Sequence, residues 1–164
     1  MKITIHHALY ALGTVLGAAG IGFGGFKLYQ LLHPPYTELG TVESGCDLHR
    51  APCVAVLPGG AQLSFSIAPR PIPLVTPLTL EVRVSGLETK SVEVDFVSPD
   101  MNMGYNRPAL ARAAPDTFRG TAVLPVCVRS RMTWRALVLA HTGRGTFGVP
   151  FAFETVRAGA RPGA

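Results

Sequence analysis

The chain has 164 residues, 48% of them hydrophobic and only 15% charged, with a net charge of +5. That length holds one ordinary domain plus an appendage. The excess positive charge comes from scattered arginines, with no basic run or basic helix, which excludes a nucleic-acid-binding stripe.

The first element is apolar. Residues 8–26, "ALYALGTVLGAAGIGFGGF", carry no charge, and "KLYQLL" extends the run with a single lysine. A helix of this length covers a hydrocarbon core of about 30 Å. A cleavable leader with a "GAAG" processing site competes with this reading. Against it, apolarity continues past Gly20 through Ile21, Phe23, Phe26, Leu28 and Leu31, with Tyr10 and Tyr29 near the two ends as interfacial aromatics. Residues 1–32 are therefore expected to form an uncleaved N-terminal transmembrane helix in contact with membrane lipid. Lys2 and Lys27 nearly balance, so orientation rests on the cysteines downstream, which favour the N-terminus inside and the domain outside. Gly13/Gly17 and Gly20/Gly24 each have the G-x-x-x-G spacing that lets helices approach closely in lipid, although glycine is also simply common in membrane helices.

Residues 33–45, "HPPYTELGTVESG", read as a polar linker. Beyond it the period changes to two. "CVAVL", "QLSFSI", "LTLEVRV", "SVEVDFV", "TFRGTAVL", "RMTWRALVL" and "TFGVPFAFET" alternate apolar and polar residues between turn signals. Seven short runs of this kind predict an all-β immunoglobulin-like β-sandwich over residues 46–156. Pro150 marks an edge strand or a bulge. The prolines of "APRPIPLVTP" mark an extended connection, and "RAGARPGA", residues 157–164, is expected to be a disordered tail.

Cys46 and Cys53 bracket "DLHRAP". In an exported domain such a pair forms a disulfide; a thiol pair holding a soft metal with His49, or a bridge from either cysteine to Cys127, are the alternatives. Cys127 is the odd cysteine, flanked by Val126 and Val128, and is either a buried small hydrophobe or a thiol with a role. Met132 and Trp134 follow as core residues. The stretch "SPDMNMGYNRP" sets Met101 and Met103 among turn residues. In an extended chain their spacing points both thioethers to one side, and thioethers suit Cu(I). Cys127, Met132 or a histidine is the candidate third ligand; zinc fits less well because no Cys/His set has its usual spacings. The alternative is that the two methionines plug one end of the sandwich.

The runs "VEVDFVSPDMNMGYNRPAL" and "FRGTAVLPVCVRSRMTWRALV", within residues 77–140, resemble the YtkA-like and FixH-like families of membrane-anchored bacterial proteins. The resemblance implies an exported immunoglobulin-like domain on an N-terminal inner-membrane helix, with the domain in the periplasm. It further implies copper handling in respiratory-oxidase assembly, with Met101 and Met103 as metal contacts. The chain departs from the pattern in having no histidine beside the methionines; the next one downstream is His141.

Enzyme signatures are missing: there is no G-x-S-x-G, H-E-x-x-H or phosphate-cradling glycine loop. Asp95 and Asp100 read as solvated carboxylates at a strand end. The expectation is a membrane-anchored exported β-sandwich, not an enzyme, that handles Cu(I) for oxidase assembly through Met101, Met103, Cys127 and Met132. The alternative is a non-metal accessory subunit or assembly factor of a larger membrane complex, docked through the glycine-rich helix.

Overall fold

The structure, a computed structural model, describes residues 2–32, 38–101, 104–125 and 129–157. The chain divides into two compact units, Met1–Pro35 and Tyr36–Ala164.

The first unit is a single helix, α1 (Lys2–Leu32). It contains no proline and ends at Leu32, two residues before Pro34 in the sequence, a residue type that does not continue a helix. Among the described residues, no helix is long and apolar enough to cross a membrane. The transmembrane reading of residues 1–32 is therefore not supported by the described residues.

The second unit is all-β and mostly antiparallel. Its strands are β1 (Glu38–Leu39), β2 (Thr41–Val42), β3 (Cys53–Val56), β4 (Gln62–Ala68), β5 (Pro77–Ser85), β6 (Thr89–Val97), β7 (Ala109–Ala114), β8 (Thr117–Val123), β9 (Arg131–Thr142) and β10 (Thr146–Val156). All seven expected runs form strands. The alternation that identified them is the burial pattern: Leu78, Leu80, Val82 and Val84 of β5 point inward and are at most 1% exposed. Three further strands appear. β1 and β2 lie inside the segment read as a linker, and β7 is the alanine-rich "ALARAA", whose composition carries little strand propensity.

Strand order is β1-β10-β9-β6-β7-β8-β5-β4-β3-β2. Two strand segments join the layers. β7 pairs with β6 through Ala109 and Leu110, then with β8 from Ala111 onward. At the opposite seam β1 pairs with β10 and β2 with β3, and only Gly40 separates them. The ends of the order thus meet through one residue, and the domain is a nearly closed, flattened barrel. Its core contains Phe65, Phe96, Phe118, Trp134 and Phe151, each at most 1% exposed, and the rings of Phe65 and Phe151 meet across the layers with centroids 5.3 Å apart. Pro150 sits where the expectation put it. β1 covers only Phe147 and Gly148 of β10, so the proline lies past that pairing, where its missing N–H interrupts no ladder.

On the outer face of β5, Glu81 accepts from Arg119 Nε at 2.7 Å and from Arg83 Nε at 2.8 Å. The Arg119 hydrogen bond is the main influence holding its carboxyl below the usual range; partial desolvation pulls the other way, and the Arg83 bond and both positive charges add to the lowering. With the folded value below the unfolded one, the cluster stabilises the protein above the ordinary carboxylate range, and that contribution disappears as pH falls through the folded value. Acid titration of unfolding is expected to show a loss below about pH 4. Glu81→Gln should flatten that limb by about 1 kcal/mol or less, because the two arginines are solvent-screened.

Candidate functional site

Alternating strand direction brings the β2–β3, β4–β5, β6–β7 and β8–β9 connections to one end of the barrel. The described candidate residues downstream of the helix, Cys46, Cys53, Met101 and Met132, lie towards that end. At this end Cys46 and Cys53 form a disulfide with a Cα–Cα distance of 5.3 Å. Closing so short a loop stabilises by about 2 kcal/mol. The bridge decides between the sequence alternatives: neither cysteine pairs with Cys127, and neither is a thiol free to hold metal with His49.

Met101 is half-buried and packs against the core. Its loop is tied to β9 by the Thr133 N–H, which donates to Asp100 Oδ2 at 3.2 Å. Met132, the neighbour of Thr133, is 2% exposed and belongs to the core. Trp134 is fully buried, and its indole N–H donates to Thr155 Oγ1 at 2.9 Å. Met103 and Cys127 lie outside the described residues. His141 cannot join a methionine site. It lies nine residues along β9 from Met132, about 30 Å away at the opposite end. There its Nδ1 is 2.9 Å from Thr146 Oγ1 and its Nε2 is 3.6 Å from Glu93. Among the described residues no group of three His, Cys, Asp or Glu side chains converges as a metal site.

Asp95 is not solvated, whereas Asp100 is exposed, as expected of a carboxylate at a strand end. Asp95 is 14% exposed and bonded at 2.8 Å to Arg107, itself 6% exposed, while Asp100 receives the Thr133 N–H. The Arg107 guanidinium also lies 5.4 Å from the Tyr105 ring centroid. Backbone bonds from Val94 N–H to Pro108 C=O and from Phe96 N–H to Asn106 C=O lay the segment along β6 at 3.1 and 2.9 Å. A cleft of about 550 Å³ opens there, with Pro77, Tyr105 and Val123 on its walls. Nearby, Val75 holds a left-handed φ of 55°, with its N–H on Leu124 C=O at 2.8 Å. A β-branched residue in this region stores about 1–3 kcal/mol.

In α1, Gly13, Gly17, Gly20 and Gly24 have no atom within 4 Å of where a Cβ would stand. The described side chains of residues 12–30 are all exposed.

Sequence reasoning missed the Arg107–Asp95 pair and the role of His49 described below. Alternation places Asp95 on the outer face of β6, and nothing local in "GYNRP" reveals that the chain doubles back along that face.

These features define a class: a nearly closed, mostly antiparallel all-β domain with a short-range disulfide, preceded by a separate apolar helix. No protein-family model matches the chain, and a search of curated proteins finds no match. Among solved structures an engineered protein, a structural-genomics target, is similar with a TM-score of 0.40 and 22% identity over 59% of this chain and 20% of its own. The chain spans about a fifth of that protein's length, and a likeness of this size carries no argument about fold or function.

Proposed function

We propose that the chain is a non-enzymatic accessory subunit or assembly factor that docks on a larger membrane complex through its glycine-rich helix and presents the β domain in an oxidising compartment. The observation that carries this reading is the exposure of α1. Leu12, Val15, Leu16, Ile21, Phe23 and Phe26 are each more than half exposed, and so large an apolar surface needs a covering partner. Gly13, Gly17, Gly20 and Gly24 fall on one face and permit close approach of a second helix. The disulfide supports an exported location, which for a bacterial protein is the periplasmic side of the inner membrane. The β5→β6 and β8→β9 connections both cross between layers, which supports the finer reading of the domain as an immunoglobulin-like sandwich. The resemblance to YtkA-like and FixH-like proteins points the same way.

Copper handling is a narrower version of this function, and Met101 is the observation that favours it: its half-buried thioether sits in a loop at the end where the connections gather. Met132 contributes little, because its sulfur reaches a metal only if the core opens.

The deciding experiment is detergent solubilisation and sizing of the full-length protein from its native membranes, alongside Gly17→Leu/Gly20→Leu. The wild type should migrate within a larger complex, and the variant should migrate alone with its β domain folded. Identical migration of both as a monomer overturns the docking reading. Anaerobic Cu(I) competition on the same preparations separates the narrower version: one-to-one binding abolished by Met101→Ala/Met103→Ala favours copper transfer, and no binding by the wild type removes it.

A further inference from the structure

Both ring nitrogens of His49 face backbone groups, and the two groups belong to different elements. Nδ1 lies 3.1 Å from the Ile72 N–H and Nε2 lies 2.6 Å from the Glu154 carbonyl oxygen. An amide N–H only donates and a carbonyl only accepts. Nε2 therefore carries the hydrogen, Nδ1 offers its lone pair, and the imidazole is neutral in this arrangement.

Through this ring the disulfide loop joins the β4–β5 connection to β10. The connection has one buried side chain, Ile72, which is 5% exposed; further along, Leu74 packs partly buried against the core and the Val75 N–H donates to Leu124 C=O at 2.8 Å, so the part released is the stretch around Ile72. Arg70 on the connection adds a tie to the disulfide loop, its Nε donating to Leu48 C=O at 3.2 Å. Leu48 is itself fully buried. The loop is fixed independently by the Cys46–Cys53 bridge, so the connection is the part that can leave.

We propose that His49 is a protonation-operated latch: acidification releases the β4–β5 connection, and with it Ile72, from the end of the barrel. The proton comes from solvent and adds to Nδ1, forming an N–H where there was a lone pair. The Ile72 N–H then loses its acceptor and confronts a second donor. The Nε2–H bond to Glu154 survives, since a cationic imidazole still donates there. Charged groups stand on each element that meets the ring. On its own loop Asp47 accepts the His49 backbone N–H at 3.0 Å and pairs with Arg50 at 3.1 Å. On the connection there is Arg70. On β10 the Glu154 carboxylate pairs with Arg131 at 2.6 Å. Phe153 adds an uncharged edge contact, with ring centroids 6.3 Å apart.

The test is site-resolved amide hydrogen exchange on the full-length protein across the pH range in which imidazoles titrate, corrected for intrinsic rates. Protection of the Ile72 amide should fall about tenfold on acidification, while Val82 and Val138 keep theirs. His49→Gln, whose side-chain amide supplies both a carbonyl acceptor and an N–H donor, should hold Ile72 protection at every pH. An Ile72 amide that ignores pH, an equal loss in His49→Gln, or a parallel loss across the core strands overturns the latch. The ring nitrogen shifts of the wild type give an answer that needs no variant. A single Nε2–H tautomer at neutral pH is required, and a mixture of tautomers refutes the arrangement.

Discussion

Arg107→Ala is expected to lower the stability of the β domain by about 3–5 kcal/mol, the range for removing one partner of a buried ion pair. The guanidinium is 6% exposed and the Asp95 side chain 14%, so the carboxylate depends on its partner for most of its compensation. The carboxylate left behind would be desolvated and uncompensated. Urea unfolding of the full-length protein, followed by fluorescence of the buried Trp134, gives the number. Two further variants separate the pair from the packing around it. Arg107→Lys keeps the charge but not the planar fork or its place over the Tyr105 ring, and should recover less than half of the loss. Asp95→Leu/Arg107→Met removes both charges and should recover most of it. A loss below about 1 kcal/mol in Arg107→Ala would assign the pair to the solvent-screened class and remove it as the fastener of the segment leading into β7.

How much of this was legible beforehand depends on the range over which each feature is encoded. The strands with clean alternation announce themselves because each inward residue is decided by its own neighbours; Leu63, Phe65 and Ile67 in β4 are fully buried, as the pattern requires. The Cys46–Cys53 bridge is local too, and so is Pro150 at an edge. β7 was illegible for the opposite reason. Of its six residues only Leu110 is buried, so the strand owes its existence to the two neighbours it joins. β1 and β2 are two residues each, too short for any period. Of the two loop methionines, Met101 packs against the core, and Met103 lies outside the described residues. Their proposed chemistry depended on which other ligands arrive from distant strands, and spacing does not report that. His141 illustrates the limit: in sequence it follows Met132 closely, but an extended strand carries it to the far end.

The candidate site and the helix belong to different levels of the same argument. The helix supplies exposed apolar surface, including Leu16, Ile21 and Phe23. The connections at one end of the barrel supply the reverse: a disulfide, a strained valine, an exposed tyrosine and a histidine committed to backbone groups.

Gly40→Val should be the most damaging glycine substitution in the β domain, and Gly40→Ala should already destabilise by about 1–3 kcal/mol, as overpacking of a filled core does. A Cβ at this position would stand 2.8 Å from Leu57 Cδ2, 2.9 Å from Val149 Cγ2 and 3.2 Å from the Val56 carbonyl oxygen. Neither side chain can retreat easily, since Leu57 is 2% exposed and Val149 fully buried. The conflict is also topological. Gly40 N–H donates to Gly148 C=O at 3.0 Å, and the residue on either side pairs with a different layer, so pushing Gly40 outward loosens β1 from β10 and β2 from β3 together. Gly120 provides the comparison. It faces the other seam, where the nearest atoms to an added Cβ are Leu110 Cγ at 3.2 Å and Ala109 O at 3.4 Å, so a small side-chain shift relieves Gly120→Ala. Thermal melts of the two alanine variants should place Gly40→Ala well below Gly120→Ala. Leu57→Ala should restore part of the Gly40→Ala loss, measured against Leu57→Ala alone, because it removes the nearer of the two obstructing side chains. Equal melting points for the two alanine variants would mean that the β1–β2 seam yields as readily as the β7–β8 one, and that closure of the barrel does not depend on the missing side chain at Gly40.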